Sequence, residues 1–238
     1  MSVALLPSRG AVTESADMMS MDAAARHRIA DYYEHGLQRG YVRGKLATDP
    51  VYAAAAELIA VHPLPLLDIG CGIGLLGQYL HAQGCVPEYI GIDHDPRKID
   101  AGLRALRRAG IDHSLQLRCG DGATAQTLRG HVALLDVLHY LPEERQRAVV
   151  EHAVRHLAPD GMLIVRNVLR ESNWRYQVTR VAEFFLRVSG WMRVGAQHYP
   201  SADELRALLE AAGLEVTIRP LHGHMPYNNY LLVAQRKR

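Results

Sequence analysis

The chain is poor in the features that mark secreted, membrane-spanning and metal-binding proteins. Its three cysteines, Cys71, Cys85 and Cys119, are scattered, and they form neither a disulfide framework nor paired metal-ligand spacing. No uncharged apolar run is long enough to cross a bilayer, and no basic residue precedes the apolar patch at residues 3–6. We therefore expect a cytoplasmic protein with no secretory signal, no membrane span and no metal site.

The chain also lacks an excess of charge of either sign. The 27 lysines and arginines nearly balance the 25 aspartates and glutamates, so the net charge is +2 and nothing global demands nucleic acid or a membrane surface. With 238 residues and 48% apolar content, the chain fits one decorated domain with a substantial core. The sequence predicts no particular oligomeric state.

The most informative stretch is residues 66–77, LLDIGCGIGLLG, which predicts a buried strand, a glycine turn and a helix. Glycine has no Cβ, so such a turn lets a nucleoside-containing ligand approach the backbone. Gly72, Gly74 and Gly77 fit the dinucleotide fingerprint, with Asp93 about twenty residues further on, so NAD is one possible ligand. Asp68, however, would repel a pyrophosphate and attract a cation, which favours S-adenosylmethionine (SAM).

The remaining chain is organised around an alternation of strands and helices. We expect residues 1–20 to be disordered and residues 21–60 to form a helical N-terminal lid, broken near Arg39-Gly40 and Asp49-Pro50. Residues 61–238 would then form the main domain. Its alternating pattern predicts an α/β fold with a Rossmann-like, doubly wound and mostly parallel sheet. The predicted strands are 64–69, 89–92, 114–119, 132–138 and 162–168, and the predicted helices are 75–82, 96–109 and 142–157.

The C-terminal part departs from this alternation. Ser201 and Glu204 form a capping box, so a helix should follow and end at Gly213. Residues 215–221 and 227–235 are predicted strands, and their short connector is compatible only with antiparallel pairing. Residues 169–200 are an insertion that should carry its own helix as a second lid before the last helix.

Taken in order, these segments resemble the class I SAM-dependent methyltransferases of small-molecule type over roughly residues 55–238. The family's motifs are similar to residues 66–74, 91–93, 119–122, 134–141 and 157–163, and five motifs in order argue against NAD. Residues 44–50 and 138–141 also show a faint similarity to methyltransferases of bacterial aryl-polyene and pigment pathways. That similarity indicates a phenolic or aryl acceptor.

The resemblance implies a SAM site and a role for several of its residues. Asp93 would accept hydrogen bonds from both ribose hydroxyls, Asp121 would accept one from the adenine amino group, and the Gly122 backbone would donate to the ring. His94 either lies against the adenine or is simply exposed. The cofactor-binding residues implied in this way are Asp68, Gly70, Cys71, Gly72, Gly74, Asp93, His94, Asp121, Gly122 and Asp136.

Methyl transfer requires a base only when the acceptor must lose a proton. The resemblance places His139 beside the transferable methyl group, which makes it the first candidate for a catalytic base. His198 and His222, from covering elements, are the second candidates. Each of these histidines is equally open to a structural role.

The insertion contains both tryptophans and both phenylalanines of the chain. Its aromatic residues either pack on the core or line an apolar acceptor pocket. They are Trp174, Tyr176, Phe184, Phe185 and Trp191. Residues 161–200 carry six arginines against two acids, a local charge that is either a solvated face or an attraction for a carboxylate substrate or an acidic carrier protein.

Two other functions remain open at this point. A methyltransferase-like chain can bind SAM as a partner subunit without turnover of its own, and the basic insertion is compatible with an RNA or protein substrate. Residues 136–139 read DVLH, whereas enzymes that methylate bases or glutamine amides carry Asn/Asp-Pro-Pro-Tyr at this place. We therefore expect a small-molecule substrate and no nucleic acid.

Overall fold

The structure is a computed structural model that describes residues 21–85, 88–122, 128–188, 195–223 and 226–237, with side chains omitted for 182–188. The prediction for residues 1–20 lies outside this part of the chain. A seven-stranded sheet with the order β3-β2-β1-β4-β5-β7-β6 forms the centre of the protein. Its strands are β1 Leu66–Ile69, β2 Tyr89–Asp93, β3 Leu115–Cys119, β4 His131–Leu135, β5 Met162–Val168, β6 Leu214–Pro220 and β7 Asn229–Arg236.

The first five strands are parallel, and β7 runs antiparallel to both β5 and β6. This arrangement confirms the predicted Rossmann-like sheet with an antiparallel C-terminal strand pair. The strand order reverses between β1 and β4, and ligands of open α/β sheets bind at the carboxyl ends of the strands beside such a reversal.

Helices cover both faces of the sheet. The helices in chain order are α1 Ala23–Asp31, α2 Gly36–Thr48, α3 Val51–Val61, α4 Leu75–Ala82, α5 Pro96–Ala109, α6 Glu143–His156, α7 Trp174–Val188 and α8 Ala202–Ala211. The α7 helix lies within the insertion, and the capping box of Ser201 and Glu204 begins α8 as predicted.

The N-terminal helices show one wrong prediction. No break occurs near Arg39-Gly40, because α2 continues through both residues, and the chain instead leaves helical structure between α1 and α2. A glycine inside a helix costs only about 1 kcal/mol, which the rest of α2 absorbs. The break at Asp49-Pro50 is confirmed, since a proline holds the preceding residue extended and Asp49 has φ −97° and ψ 110°.

The fourth strand is shorter than the sequence predicts. It ends at Leu135, because Asp136 adopts φ +60° and turns the chain into a 3₁₀ helix at Leu138–Tyr140. A positive φ is uncommon for a residue other than glycine and marks a position that the surrounding contacts hold in place. The residues that follow β4 therefore form a turn with a defined conformation, and they do not continue the strand.

Strand β5 is buried along its whole length and carries two polar residues, Arg166 and Asn167. Successive side chains of a strand point to opposite faces. Met162 and Ile164 belong to the core beneath the N-terminal helices, whereas Leu163 and Val165 belong to the core beneath α6 and α8. The side chains of Arg166 and Asn167 therefore lie on opposite faces of the sheet.

Candidate active site at the carboxyl ends of the strands

The glycine turn after β1 is fixed by backbone hydrogen bonds and by close packing. The N–H groups of Gly70 and Cys71 donate to the Ile92 carbonyl at 2.7 and 3.0 Å, and Gly70, Gly72 and Gly74 all have positive φ. A Cβ at Gly70 would lie 2.3 Å from Val137 Cγ2, whereas one at Gly72 would meet no atom within 4 Å. The turn is therefore packed at Gly70 and open to a ligand at Gly72.

Asp93 lies at the end of β2 and contacts this turn directly. Its Oδ2 accepts the Gly72 N–H at 2.9 Å, and its Oδ1 accepts the Asp95 N–H at 2.9 Å. A carboxylate offers about four lone-pair sites, so two backbone donors leave it able to accept from a vicinal diol. His94 Nδ1 lies 3.6 Å from Asp93 Oδ1, and its side chain is exposed at the rim of the turn.

Asp68 lies beneath the turn and is buried. The Tyr89 hydroxyl donates to its Oδ2 at 2.7 Å. Burial and, to a smaller extent, the charge of Asp93 raise the pKa of Asp68 to about 7, although the hydrogen bond from Tyr89 lowers it. The ionisation of Asp68 is therefore sensitive, near neutral pH, to a cation that arrives at the turn.

Cys71 contributes packing to the turn. Burial raises the pKa of its thiol well above the usual range, and the charges of Asp68 and Asp93 raise it further. Its Sγ lies where a Cβ at Gly91 would come within 2.8 Å. The thiol is therefore neutral and fills the space beside β2.

The loop after β3 reaches the same edge of the sheet. A Cβ at Gly122 would lie 2.3 Å from Ile69 Cγ2, so this loop packs on the end of β1. Asp121 is half exposed, and it pairs with Arg145 of α6 at 2.9 Å. Residues 123–127, which complete the loop, lie outside the described part of the chain.

Asp136 belongs to a cluster of four charged side chains that joins the N-terminal helices to the sheet. Arg166 of β5 donates to Asp136 and, at 2.7 Å, to Asp49, while Lys45 Nζ lies 2.9 Å from Asp49 and 3.5 Å from Asp136. Burial alone would raise the pKa of Asp49, but Arg166 and Lys45 outweigh it and lower that pKa. The cluster is thus a balanced set of two cations and two anions.

His139 lies in the 3₁₀ helix after β4 and is 1% exposed. Its Nδ1 lies 2.8 Å from Asn167 Oδ1, and its ring stacks parallel to Tyr199 with centroids 5.9 Å apart. The His139 carbonyl accepts the N–H groups of Gln197 and His198 at 2.9 and 3.3 Å. Residues 197–199 therefore cover the imidazole.

The other two candidate histidines point elsewhere. The backbone of His198 lies beside His139, but its Nε2 is 3.7 Å from Glu204 in the first turn of α8. His222 packs edge-on against Tyr230 with ring centroids 5.6 Å apart, and its buried Nδ1 has no hydrogen-bond partner among the described residues. His139 is thus a buried part of the turn that follows β4, whereas the imidazoles of His198 and His222 contact Glu204 and Tyr230.

The aromatic residues of the insertion divide into two groups. Tyr176 packs edge-on against Tyr199 with centroids 5.4 Å apart, which places it above the ring that covers His139. Trp174 is 61% exposed, and the Arg175 guanidinium lies 4.8 Å from the centroid of its ring. The predicted roles of Phe184, Phe185 and Trp191 fall outside the side chains that the structure describes.

Several residues of this site carry no recognisable motif in the sequence. Arg166, Asn167, Tyr89 and Tyr199 all contact residues that motifs identify, but none of them belongs to a motif itself. The available signal was the pair Arg166-Asn167, two polar residues inside an otherwise apolar strand. A buried charge or amide normally has a specific partner.

Within the described ranges, no three His, Cys, Asp or Glu side chains are grouped as metal ligands would be. None of the described helices combines the length and apolarity that a membrane span requires.

The strand order, the glycine turn after β1 and the acid at the end of β2 define a class I SAM-dependent methyltransferase. A family profile described as a methyltransferase domain matches residues 39–218. The chain therefore belongs to this methyltransferase family, and it is an enzyme that uses SAM.

The proteins that are similar to the chain include the following three. Ubiquinone biosynthesis O-methyltransferase from Rhizobium etli is 27% identical over 219 residues, which cover 83% of this chain and 82% of that protein. The 18S rRNA (guanine-N(7))-methyltransferase of Bos taurus is 38% identical over 78 residues, 30% of this chain and 27% of that protein. Magnesium protoporphyrin IX methyltransferase from Synechocystis PCC 6803, solved with bound SAH, superposes with a TM-score of 0.63 at 19% identity and covers 95% of this chain and 100% of that one.

The residues at the site fit SAM. Gly72 presents backbone to open space, and Asp93 keeps acceptor capacity for a diol. Asp68 supplies a carboxylate whose charged form a cation would favour. Asp93, Gly72 and Asp68 are accordingly the residues that would hold the cofactor.

Proposed function

We propose that the chain methylates a small phenolic or aryl acceptor, with His139 as the base that removes the acceptor's proton. The observation that carries the proposal is an oriented imidazole directly after β4, surrounded by aromatic rings. The ring centroids of Tyr140 and His139 are 4.1 Å apart. The Tyr199 ring stacks on the His139 ring, and the Tyr176 ring packs on Tyr199. Such rings are suited to the flat face of an aromatic acceptor.

The connection between His139 and the cofactor turn is short. Val137, two residues before His139, packs against Gly70. Asp136, the next residue back, is held by Arg166 and Lys45. The start of this segment is thereby held against the glycine turn by Val137 and against β5 and α2 by Asp136, which supports a role for the segment in aligning the acceptor.

SAM supplies a methyl group that is already activated by the sulfonium. The chain's own residues bind, orient and deprotonate. Asp93 and Gly72 hold the nucleoside part, and the tyrosines around His139 orient the acceptor and exclude water.

A phenol with an ordinary pKa near 10 is mostly protonated at neutral pH, so the imidazole takes its proton as the methyl group arrives. Because residues 197–199 cover His139, the acceptor reaches the imidazole only when they move aside.

The similarity to a ubiquinone biosynthesis O-methyltransferase, which covers 83% of this chain and 82% of that protein, supports O-methylation of a small molecule. The arginines of the insertion support an acceptor that carries a carboxylate, either free or attached to an acidic carrier protein. Arg180, for example, lies 5.9 Å from the centroid of the Tyr176 ring, close to the aromatic group above His139.

Isothermal titration with SAM, S-adenosylhomocysteine and NAD is the first test. We expect binding of the two adenosyl compounds and no binding of NAD. The purified protein is then incubated with isotope-labelled SAM and a cell extract, and mass spectrometry identifies the metabolite that gained a methyl group. A labelled phenol or aryl acid supports the proposal, whereas SAM binding without any labelled metabolite would favour a partner subunit without turnover.

An RNA substrate is the second candidate. The observation that favours it is the local similarity to an rRNA methyltransferase, which is confined to 30% of the chain. A match over 27% of that protein gives little support for carrying its substrate over to this chain. The same labelling experiment, extended to the RNA fraction of the extract, distinguishes the two candidates.

A further inference from the structure

Asn167 is a fully buried amide inside the apolar strand β5. Its Oδ1 lies 2.8 Å from His139 Nδ1 and accepts the His139 backbone N–H at 3.3 Å. Its Nδ2 donates to the Val168 carbonyl at 2.8 Å. The side chain thus contacts both the backbone and the ring of the candidate base.

The orientation of this amide follows from its backbone partners. A backbone N–H can only donate, so the atom facing the His139 N–H must be the oxygen of Asn167. A backbone carbonyl can only accept, so the atom facing the Val168 carbonyl must be the nitrogen. The two contacts agree, and they exclude the flipped amide on chemical grounds.

An amide oxygen cannot donate, so the imidazole nitrogen facing it must carry the hydrogen. We propose that Asn167 is a positioning residue that holds neutral His139 as the Nδ1–H tautomer, so that Nε2 is the atom that takes the proton of the methyl acceptor. In that step the acceptor O–H bond breaks and its proton joins Nε2. The acceptor oxygen forms a bond to the methyl group of SAM as the methyl–sulfur bond breaks, and S-adenosylhomocysteine leaves with the electrons of that bond. The inference rests on the proposed role of His139.

The neighbours of Asn167 make it a rigid support. Arg166, the preceding residue, is anchored on the opposite face of the sheet by Asp49 and Asp136. Strand β5 also pairs with β4 on one side and with β7 on the other, and Asn167 lies opposite Tyr230. Asn167 therefore has little freedom to follow the imidazole, and the ring is oriented by the strand.

Nitrogen NMR of the full-length protein tests the tautomer without any turnover. Long-range proton–nitrogen spectra of ¹⁵N-labelled protein are recorded above the pH at which the imidazole is protonated, and the His139 signals are assigned by their loss in His139→Gln. We expect a protonated Nδ1 and an unprotonated Nε2 for His139. An Nε2–H tautomer in the wild-type protein would overturn the inference.

Two variants separate positioning from simple structural support. Asn167→Leu removes the acceptor, and we expect kcat to fall by up to about 10²–10⁴-fold with unchanged SAM affinity, together with loss of the Nδ1–H preference. Asn167→Asp keeps an acceptor and adds a negative charge, so the tautomer should persist and the acid limb of the kcat profile should move up by about 1–3 pH units. A profile that does not move in Asn167→Asp contradicts the inference.

Asn228→Leu is the matched control. Asn228 is also a fully buried asparagine, and it donates to the Leu169 carbonyl at 2.9 Å, away from His139. Its loss should lower thermal stability and leave the His139 tautomer unchanged. Full turnover by His139→Asn would overturn the role of His139 as the base and, with it, the catalytic part of this inference. The Nδ1–H tautomer of the wild-type protein would still be seen by NMR, so the two failures are distinguishable.

Discussion

Asp93 accepts the backbone N–H groups of Gly72 and Asp95 with its two carboxylate oxygens, and it keeps acceptor capacity that a ribose diol could use. We predict that Asp93→Ala weakens SAM binding by about 2–3 kcal/mol, because charge-assisted hydrogen bonds to both hydroxyls are lost. Isothermal titration gives the dissociation constant. Asp100→Ala, which removes an exposed carboxylate from α5, is the matched control and should bind as the wild type does. Unchanged binding by a folded Asp93→Ala protein would make Asp93 an ordinary loop acid.

We predict that Asp68 makes SAM binding dependent on pH. Its pKa is about 7 in the free protein, so the carboxyl group is mostly protonated below that pH. A bound cation favours the charged form, so binding releases the proton, and affinity should rise by up to about tenfold per pH unit toward neutrality and then level off. Titrations at several pH values check this slope. Asp68→Asn should bind more weakly and lose this dependence, and a wild-type affinity that is flat below pH 7 would argue against a charged Asp68 in the complex.

His139 can be tested as a base by using pH to vary the ionised fraction of the acceptor. For a phenolic acceptor, we predict that His139→Ala and His139→Asn lower kcat by about 10²–10⁴-fold at neutral pH. The defect should fade toward about pH 10, where the phenolate forms without help. SAM affinity should stay near the wild-type value. A defect of equal size at every pH would identify His139 as a positioning residue, and no defect would direct attention to His198 and His222.

Among the elements, those that the sequence predicts well are the ones whose signals are local. Strand β1, the glycine turn and α4 follow one another within 66–82, and each has its own pattern of apolar residues and glycines. The capping box at Ser201 and Glu204 is likewise a local signal. Alternating strands and helices then restrict the topology, which is why the parallel sheet and the antiparallel end could both be predicted.

The turn after β4 could not be predicted, because its shape depends on distant residues. Asp136 is held by Arg166 and Lys45, and Arg166 also binds Asp49, which is 117 residues away in the chain. An apolar run through Leu138 predicts a longer strand, and only these contacts turn it. The orientation of His139 by Asn167 has the same origin, since it depends on the pairing of β4 with β5.

The packing of α5 on the glycine turn gives a prediction at the same scale. A Cβ at Gly102 would lie 2.6 Å from the Ile73 carbonyl oxygen, a backbone atom within the turn. Gly102→Ala should therefore destabilise the protein by about 1–3 kcal/mol and weaken SAM binding, because the turn must shift. Thermal unfolding and titration measure the two effects.

Gly40→Ala provides the same substitution in an open place. A Cβ at Gly40 of α2 meets no atom within 4 Å. Alanine is favoured over glycine in a helix by up to about 1 kcal/mol, so this variant should raise the melting temperature slightly and bind SAM normally. Equal destabilisation by both substitutions would show that the contact between α5 and the turn has no special role.

For the whole molecule, the distribution of charge bears on the kind of substrate. The described arginines of the insertion have partners: Arg170 pairs with Glu204, Arg175 lies over Trp174, and Arg180 lies over Tyr176. Arg145 is likewise paired, with Asp121. Two of these four arginines are paired with carboxylates, and the charges of Arg175 and Arg180 remain. A protein that tracks a nucleic-acid backbone needs a continuous basic surface.

We therefore predict that the protein does not bind RNA under physiological conditions. The net charge of +2 provides little general attraction for phosphates, and non-specific binding is largely a release of counterions that weakens steeply with salt. Filter binding to total RNA at about 150 mM salt should show no retention, while a low-salt series reports any weak electrostatic association. Arg175→Ala with Arg180→Ala should leave this result unchanged. Strong retention at the higher salt, lost in that double variant, would make RNA the substrate to pursue and the insertion its binding surface.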